Sequence, residues 1–385
     1  MKKIIIFIIM YVMALAAIAQ EDSTMVRPAQ VTFFYPLGTN GTSTAYTNNF
    51  SFNILYGVNN GVNGAEIGGL VNSNLGHVNG LQIAGLANMN AKAANGMLIA
   101  GIGNFVKDTS NSLAFAGISN VIGGNAFGAH VAGISNTVNG DFLGGQVSGI
   151  VNVVNGNTNG IQVAGITNVS AGDMQGGQVS GISNIVKGDL SGAQIGLINR
   201  AANVKGFQLG LINIADSVSG GVPLGLFSFV KKGYHSLELE VGEAIYANAN
   251  FKMGVDRLYT IYKFGYTMNG ANQYWSYGLG LGSKINVAKN LDMSFDLTGN
   301  HIVKQTFNPN VDLLAKFDLK LRYNIGKHFT VFAGPSVNGY FSEHDIDTET
   351  SALKVPYSIH TWNWWNDEGQ SYLWIGGNAG VAVNF

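Results

Sequence analysis

Acids, histidines and tryptophans are the side chains in this sequence whose placement could support chemistry, and their spacing supports little of it. Through the glycine-rich middle of the chain, Glu66, Asp108, Asp141, Asp173, Asp189 and Asp216 fall singly. Hydrolysis of a polysaccharide needs two carboxylates, or a carboxylate and a cation, on one face. A calcium-binding β-roll needs G-G-x-G-x-D repeats. Neither pattern is present. His130 stands alone in a column otherwise rich in glutamine and reads as a satisfied surface histidine rather than a base. The run "GLGLGS" at 278–283 contains G-x-G, but no helix follows to seat a phosphate, so it reads as a closely packed strand. No catalytic, cofactor-binding or metal-ligating set is expected, and the chain is expected not to be an enzyme. The absence of cysteine removes disulfides, thiol chemistry and cysteine-ligated metals.

Two groups stand as candidate ligand contacts. Gln146, Gln162 and Gln178, with Gln82, Gln194 and Gln208, recur in one register. They form either a solvent-facing polar ladder for glycan hydroxyls or simply an outer face. Trp362, Trp364 and Trp365 lie in "HTWNWWNDEG", inside a long loop spanning 343–370 that also carries Asp345, Asp347 and Glu349. Exposed indoles stack on sugar rings or anchor at a membrane interface, and packing of the loop onto its own domain is the alternative.

The elements that position these residues are written as a repeat. "GQVSGIVN" at 145–152 returns as "GQVSGISN" at 177–184, with "IQVAGITN" at 161–168 between them. A glycine falls every sixteen residues from Gly69 to Gly181, an asparagine three residues later from Asn72 to Asn184, and Leu or Ile directly after each glycine. So short a period means that each unit is one supersecondary element whose core is completed by stacking. The alternation of Ile161 and Val163 with Gln162 and Ala164 has the rhythm of a strand, and the glycines mark corners. A parallel β-solenoid fits: equivalent side chains stack about 4.8 Å apart, and the asparagine column becomes a ladder whose amides satisfy turn backbone groups and one another. One strand plus turn per unit of a large antiparallel barrel is the competing arrangement. The step from "QVSGISN" to "QIGLIN" at 194–199 argues against it. Losing one residue would turn every later barrel side chain to the other face, whereas a solenoid absorbs it at a corner.

After about residue 231 the repeat gives way to longer alternating runs at 237–241, 247–255, 258–268, 275–287, 291–297, 311–325, 329–337 and 373–385. In 311–325 the odd positions are apolar, whereas the even ones include Asp312, Lys316, Asp318, Lys320 and Arg322. About eight such strands match an outer-membrane β-barrel, apolar toward lipid and polar inside. These charges, with Glu238 and Glu240, are then expected to pair within the lumen. A soluble β-sandwich, with the charged face toward water, is the alternative.

Lys2 and Lys3 precede an apolar run at 4–16 and the small residues Ala17 and Ala19, the pattern of a signal peptide cleaved after Ala19; an uncleaved membrane anchor is the rival. With 21 basic and 22 acidic residues, no field draws in nucleic acid. The expected fold is all-β: signal peptide at 1–19, N-terminal strands or cap at 20–62, a solenoid of 14–16-residue coils at 63–230, and a barrel at 231–385. The segments 31–35 and 50–56 either add strands to the barrel or cap the first coil.

The order "VTFFYPLGTNGT", "FSFNILYGVNNGVNGAEIGGLVN", repeats of the form G-x-Q-x-A-G-[IL]-x-N, "HSLELEVGEAIYANANFKMG" and "FAGPSVNGYFS" resembles a group of surface-repeat proteins from Bacteroidetes with a C-terminal barrel-like region. The likeness covers most of the chain after the signal segment, although the strict sixteen-residue array is longer than the group's shorter units. The resemblance implies an exported, envelope-associated protein and supplies no active site. The expected function is that of a cell-surface outer-membrane protein with a structural or ligand-binding role, its partners outer-membrane lipid and a surface glycan or protein. A transporter or pore with the repeats in one large barrel is the alternative.

Overall fold

The computed structural model describes residues 25–269, 272–304, 312–342, 353, 355, 357–364 and 369–385. The signal segment, Asp345, Asp347, Glu349 and Trp365 lie outside the described residues. The chain is all-β, a parallel solenoid of about 12 coils followed by a closed eight-strand antiparallel barrel. It divides into two compact units, 1–202 and 203–385.

In the first unit each coil is a seven-residue strand, a glycine corner, a four-residue strand and a polar turn, as in Phe142–Ser148 followed by Val151–Val154. Equivalent residues pair in parallel sixteen apart: Gln146 with Gln162, Asn152 with Asn168. The repeats are therefore solenoid coils and not strands of one large barrel. The shortened unit is absorbed as expected, since Gln178 pairs with Gln194 before the corner and Asn184 with Asn199 after it. The N-terminal segments cap the array. Met25–Phe34 pairs in parallel with Tyr46–Asn59, which pairs with Gly61–Gly68 and Val71–Asn74.

Which side chains face inward overturns one expectation. Gln146, Gln162 and Gln178 are fully buried, whereas Val147, Val163 and Val179 on the same strands are 37–47 % exposed. The glutamine column is neither an outer face nor a ladder for glycans. The half of the interior beside the polar turn is apolar, built from residues such as Val138, Phe142 and Val154, and Leu98 and Ala114 extend it into the glutamine column of two coils. Toward the glycine corner the interior is mostly amide, with an asparagine in every coil from Asn72 to Asn199 and a glutamine in most. The reason is the corner itself, where strand carbonyls turn inward and must find donors.

The second unit holds the coil strands Phe207–Val218 and Val222–Val230, paired in parallel, and the barrel. Its wall runs Tyr234–Gly242, Ala247–Val255, Leu258–Asn269, Asn272–Ala288, Leu291–Lys304, Asp312–Ile325, Phe329–Ser342 and Gly369–Asn384, closed by antiparallel pairing of the first with the last. A short strand, His360–Trp364, pairs with Gly369–Asn384. Lys316, Asp318, Lys320 and Arg322 are at most 4 % exposed, whereas Phe317 and Leu321 between them are 42 % and 51 % exposed. The charged face is the inner one, which excludes a sandwich with that face toward water.

Candidate functional site

In the solenoid, the corner asparagines do what their spacing foretells. Asn136 donates through Nδ2 to the carbonyl of Val147 (2.8 Å) and to Oδ1 of Asn152 (2.9 Å), and accepts from Asn120 (2.9 Å). The same pattern runs from Asn72 to Asn184, each amide donating toward the C-terminus. The glutamines make a second ladder of opposite sense, with Gln162 donating to Gln146, Gln178 to Gln162 and Gln194 to Gln178 at 2.8–2.9 Å. The glycines permit the close stacking this needs. A Cβ on Gly149 would lie 2.2 Å from the carbonyl oxygen of Gly133, and one on Gly160, whose φ is +144°, only 1.8 Å from that of Gly144.

Besides Leu98 and Ala114, two titratable residues stand in the glutamine column. Glu66 is fully buried and accepts from Asn53 (2.9 Å), Asn59 (2.8 Å), Asn74 (2.7 Å) and Gln82 (2.8 Å). Burial raises its pKa above the ordinary carboxyl value, against the opposing pull of those amide bonds. His130 is not the surface histidine its isolation suggested. It shares the inward parity of the glutamines, is fully buried against Phe142 at 5.4 Å, and neither ring nitrogen has a hydrogen-bond partner. Burial lowers its pKa to about 4.

The barrel lumen brings together the charges expected there, except Asp312. That residue sits at the rim, accepting from Tyr340 (2.5 Å) and Ser342 (2.8 Å). Lys320 contacts Glu240 (2.6 Å), Asp296 (3.2 Å), Asp318 (3.6 Å) and Glu238 (3.8 Å), and Arg322 reaches Glu238 at 2.5 Å. Lys252, Lys263 and Asp296 complete the network, at 2.7 Å for both Lys252–Asp296 and Lys263–Glu240. Sequence reading missed these three, although they carry the inward parity of their strands. Toward the long loops the lumen is filled by Ile245, Tyr274, Ile302, Leu314, Tyr340 and Trp374. The network is a packed core of paired charges.

No protein-family model matches the chain, and no curated protein or solved structure is similar to it. The functional reading therefore rests on geometry. Of the tryptophans, Trp362 is 46 % exposed on the short strand His360–Trp364, edge-on to His360 at 4.8 Å. Trp364 ends that strand, with its side chain outside the described residues. Gln146, Gln162 and Gln178 bond one another rather than any outside partner. The "GLGLGS" run lies within strand Asn272–Ala288, as expected. Among the described residues, no three of His, Cys, Asp or Glu come together as metal ligands.

Proposed function

We propose that this is an exported outer-membrane protein in which the barrel is the anchor and the repeat array a structural or ligand-binding element without catalysis. The observation that carries the reading is the inverted barrel wall. Charged residues are buried in the lumen, whereas Leu239, Val241, Phe264 and Leu297 stand 59–63 % exposed on the outside. A wall of this kind is stable where the surrounding medium is hydrocarbon. Aromatic residues mark both ends, Trp275 at one and Tyr323, Phe329 and Phe385 at the other, as girdles do at the two interfaces. Most of the strands exceed the 9–11 residues a tilted span needs.

The barrel's ends also differ. The turns after Val255, Ala288 and Ile325 are short, whereas Ser342 and Gly369 are joined by a long segment. Outer-membrane barrels keep short turns in the periplasm and long loops outside. In that orientation Trp362 belongs to the external loops and is the candidate contact for a surface glycan or protein, while the chain enters the barrel from the periplasmic end. The test is fractionation with gel migration before and after heating. The expected result is an outer-membrane protein whose unheated form migrates faster, and whose 343–370 loop is cut by protease on intact cells. Recovery in the soluble periplasmic fraction would overturn the proposal.

A further inference from the structure

The repeat array has an edge that the anchoring role leaves unused. At each glycine corner one large aliphatic side chain points outward, in an unbroken column from Leu70 through Ile102, Ile134 and Ile166 to Leu197, each member 39–53 % exposed. Beside it runs the outward column from Ile67 to Ile195. Neither column contains a charged residue in nine coils. At about 4.8 Å per coil the ridge is roughly 40 Å long, beyond the apolar patches that monomers in water commonly present. The exposed charges of these coils lie on the opposite turn, among them Lys92, Lys107, Asp108, Asp141 and Asp173, with Arg200 on the last coil as the exception.

We infer that this glycine–isoleucine edge is a lipid-facing surface, by which the array lies along a bilayer. The inference rests on the membrane reading above. Three observations select lipid as the occupant. First, the corner backbone is satisfied without water. Ile150 N–H donates to the Ile134 carbonyl at 3.1 Å, Ile166 N–H to that of Ile150 at 3.1 Å, and the Val147 carbonyl accepts from Asn136. Backbone can leave water for hydrocarbon only when it is satisfied internally.

Second, the ridge is almost purely aliphatic and lacks the Trp, Tyr and Arg anchors that concentrate binding energy between proteins. Its charges are segregated to the far edge, as in elements that lie in a membrane interface. Third, within the second unit the outward face of the last coil is continuous with the barrel wall. Phe227 stacks on Tyr262 of the barrel at 5.6 Å and on Phe229 at 6.2 Å, and Thr260 and Tyr262 donate to the carbonyls of Gly225 and Leu226. Coil and barrel there share one apolar surface, and Arg257 in the short turn bonds the Gly220 carbonyl at 3.2 Å.

The cysteine-free chain permits a direct test. Ile134→Cys, Ile150→Cys, Ile166→Cys, Asn139→Cys, Asn155→Cys and the wall variant Leu297→Cys are each labelled with an environment-sensitive fluorophore. The full chain is then inserted into vesicles of phosphatidylethanolamine and phosphatidylglycerol. The expected result is that a lipid-borne quencher removes most of the signal at 134, 150, 166 and 297, whereas aqueous iodide removes most of it at 139 and 155. Quenching by lipid at 297 but by iodide at 150 would overturn the inference and leave the barrel reading standing. Iodide quenching at 297 would overturn both. Protection from both quenchers at 134, 150 and 166, with self-quenching between labelled chains, would replace lipid by a second copy.

Discussion

The corner asparagine is the most economical place to test why amides fill this core, and Asn136→Ala is the perturbation. The side chain is fully buried and makes three bonds to protein groups. Its loss removes a donor from the Val147 carbonyl and from Asn152 Oδ1, whereas Asn120 keeps its bond to the Val131 carbonyl at 3.0 Å. Two buried acceptors lose a partner at about 1–3 kcal/mol each, so a local cost of about 3 kcal/mol is expected. That corresponds to roughly a hundredfold in an opening equilibrium. Coils contact only their neighbours, so the effect should be confined to coils near the substitution. Hydrogen exchange read by mass spectrometry provides the assay. Peptides covering 131–152 should exchange roughly a hundredfold faster, while those covering 62–90 should not change. Asn139→Ala, in an exposed turn where Asn139 only accepts from Asn155, should cost within about 0.5 kcal/mol. If Asn136→Ala exchanged no faster than Asn139→Ala, the amide ladder would not be what holds the corner.

His130→Gln should stabilise its coil by about 1–2 kcal/mol, because it supplies a side chain able to pair with the unpartnered Nε2 of Gln146; local exchange should slow. The same variant removes a pH dependence. His130 stays neutral in the fold down to about 4, while an unfolded histidine gains its proton near 6.5. Stability is therefore whole above about pH 6.5 and falls as pH drops toward 4, by about 2 kcal/mol at pH 5; thermal melts of the parent chain should show this loss and those of His130→Gln should not. Lys320→Met leaves four buried carboxylates short of a cation and should cost about 3–5 kcal/mol, seen as a lower temperature for loss of the heat-modifiable barrel. Gly160→Ala forces a Cβ against the Gly144 carbonyl and should raise exchange in both flanking coils, whereas Gly145→Ala, whose Cβ meets nothing within 4 Å, should not.

Much of this architecture is legible in the letters. The sixteen-residue period, the corner that absorbs a deletion, and all eight barrel strands follow from spacing and parity. The lumenal Glu238, Lys320 and Arg322 follow from alternation in strands too long and too charged for a sandwich. The inward turn of Gln146 and His130 does not follow, because a two-residue rhythm separates two faces without saying which one is the interior. Hydrophobicity would place Val147 and Ile150 inside. The corner decides otherwise, since its inward carbonyls require amide donors and its tight stacking leaves the aliphatic side chains only the outside. The one sequence signal for this was the fixed asparagine three residues after each glycine. Glu66 was legible as an acid but not as a carboxyl held by four amides, because its donors come from three separate strands.

The opposed directions of the two amide ladders bear on how such an array can change in length. A single file of amides all donating one way would add its dipoles coil by coil, and each added coil would raise the field at the ends. Here the asparagine file donates forward and the glutamine file backward, so from Gln146 to Gln194, where both files run unbroken, their contributions oppose one another. In the first coils a glutamine and an asparagine share an acceptor: Gln82 and Asn53 each donate to Glu66. Copying or deleting one of the coils between Gln146 and Gln194 would therefore lengthen or shorten the ridge without an accumulating electrostatic penalty.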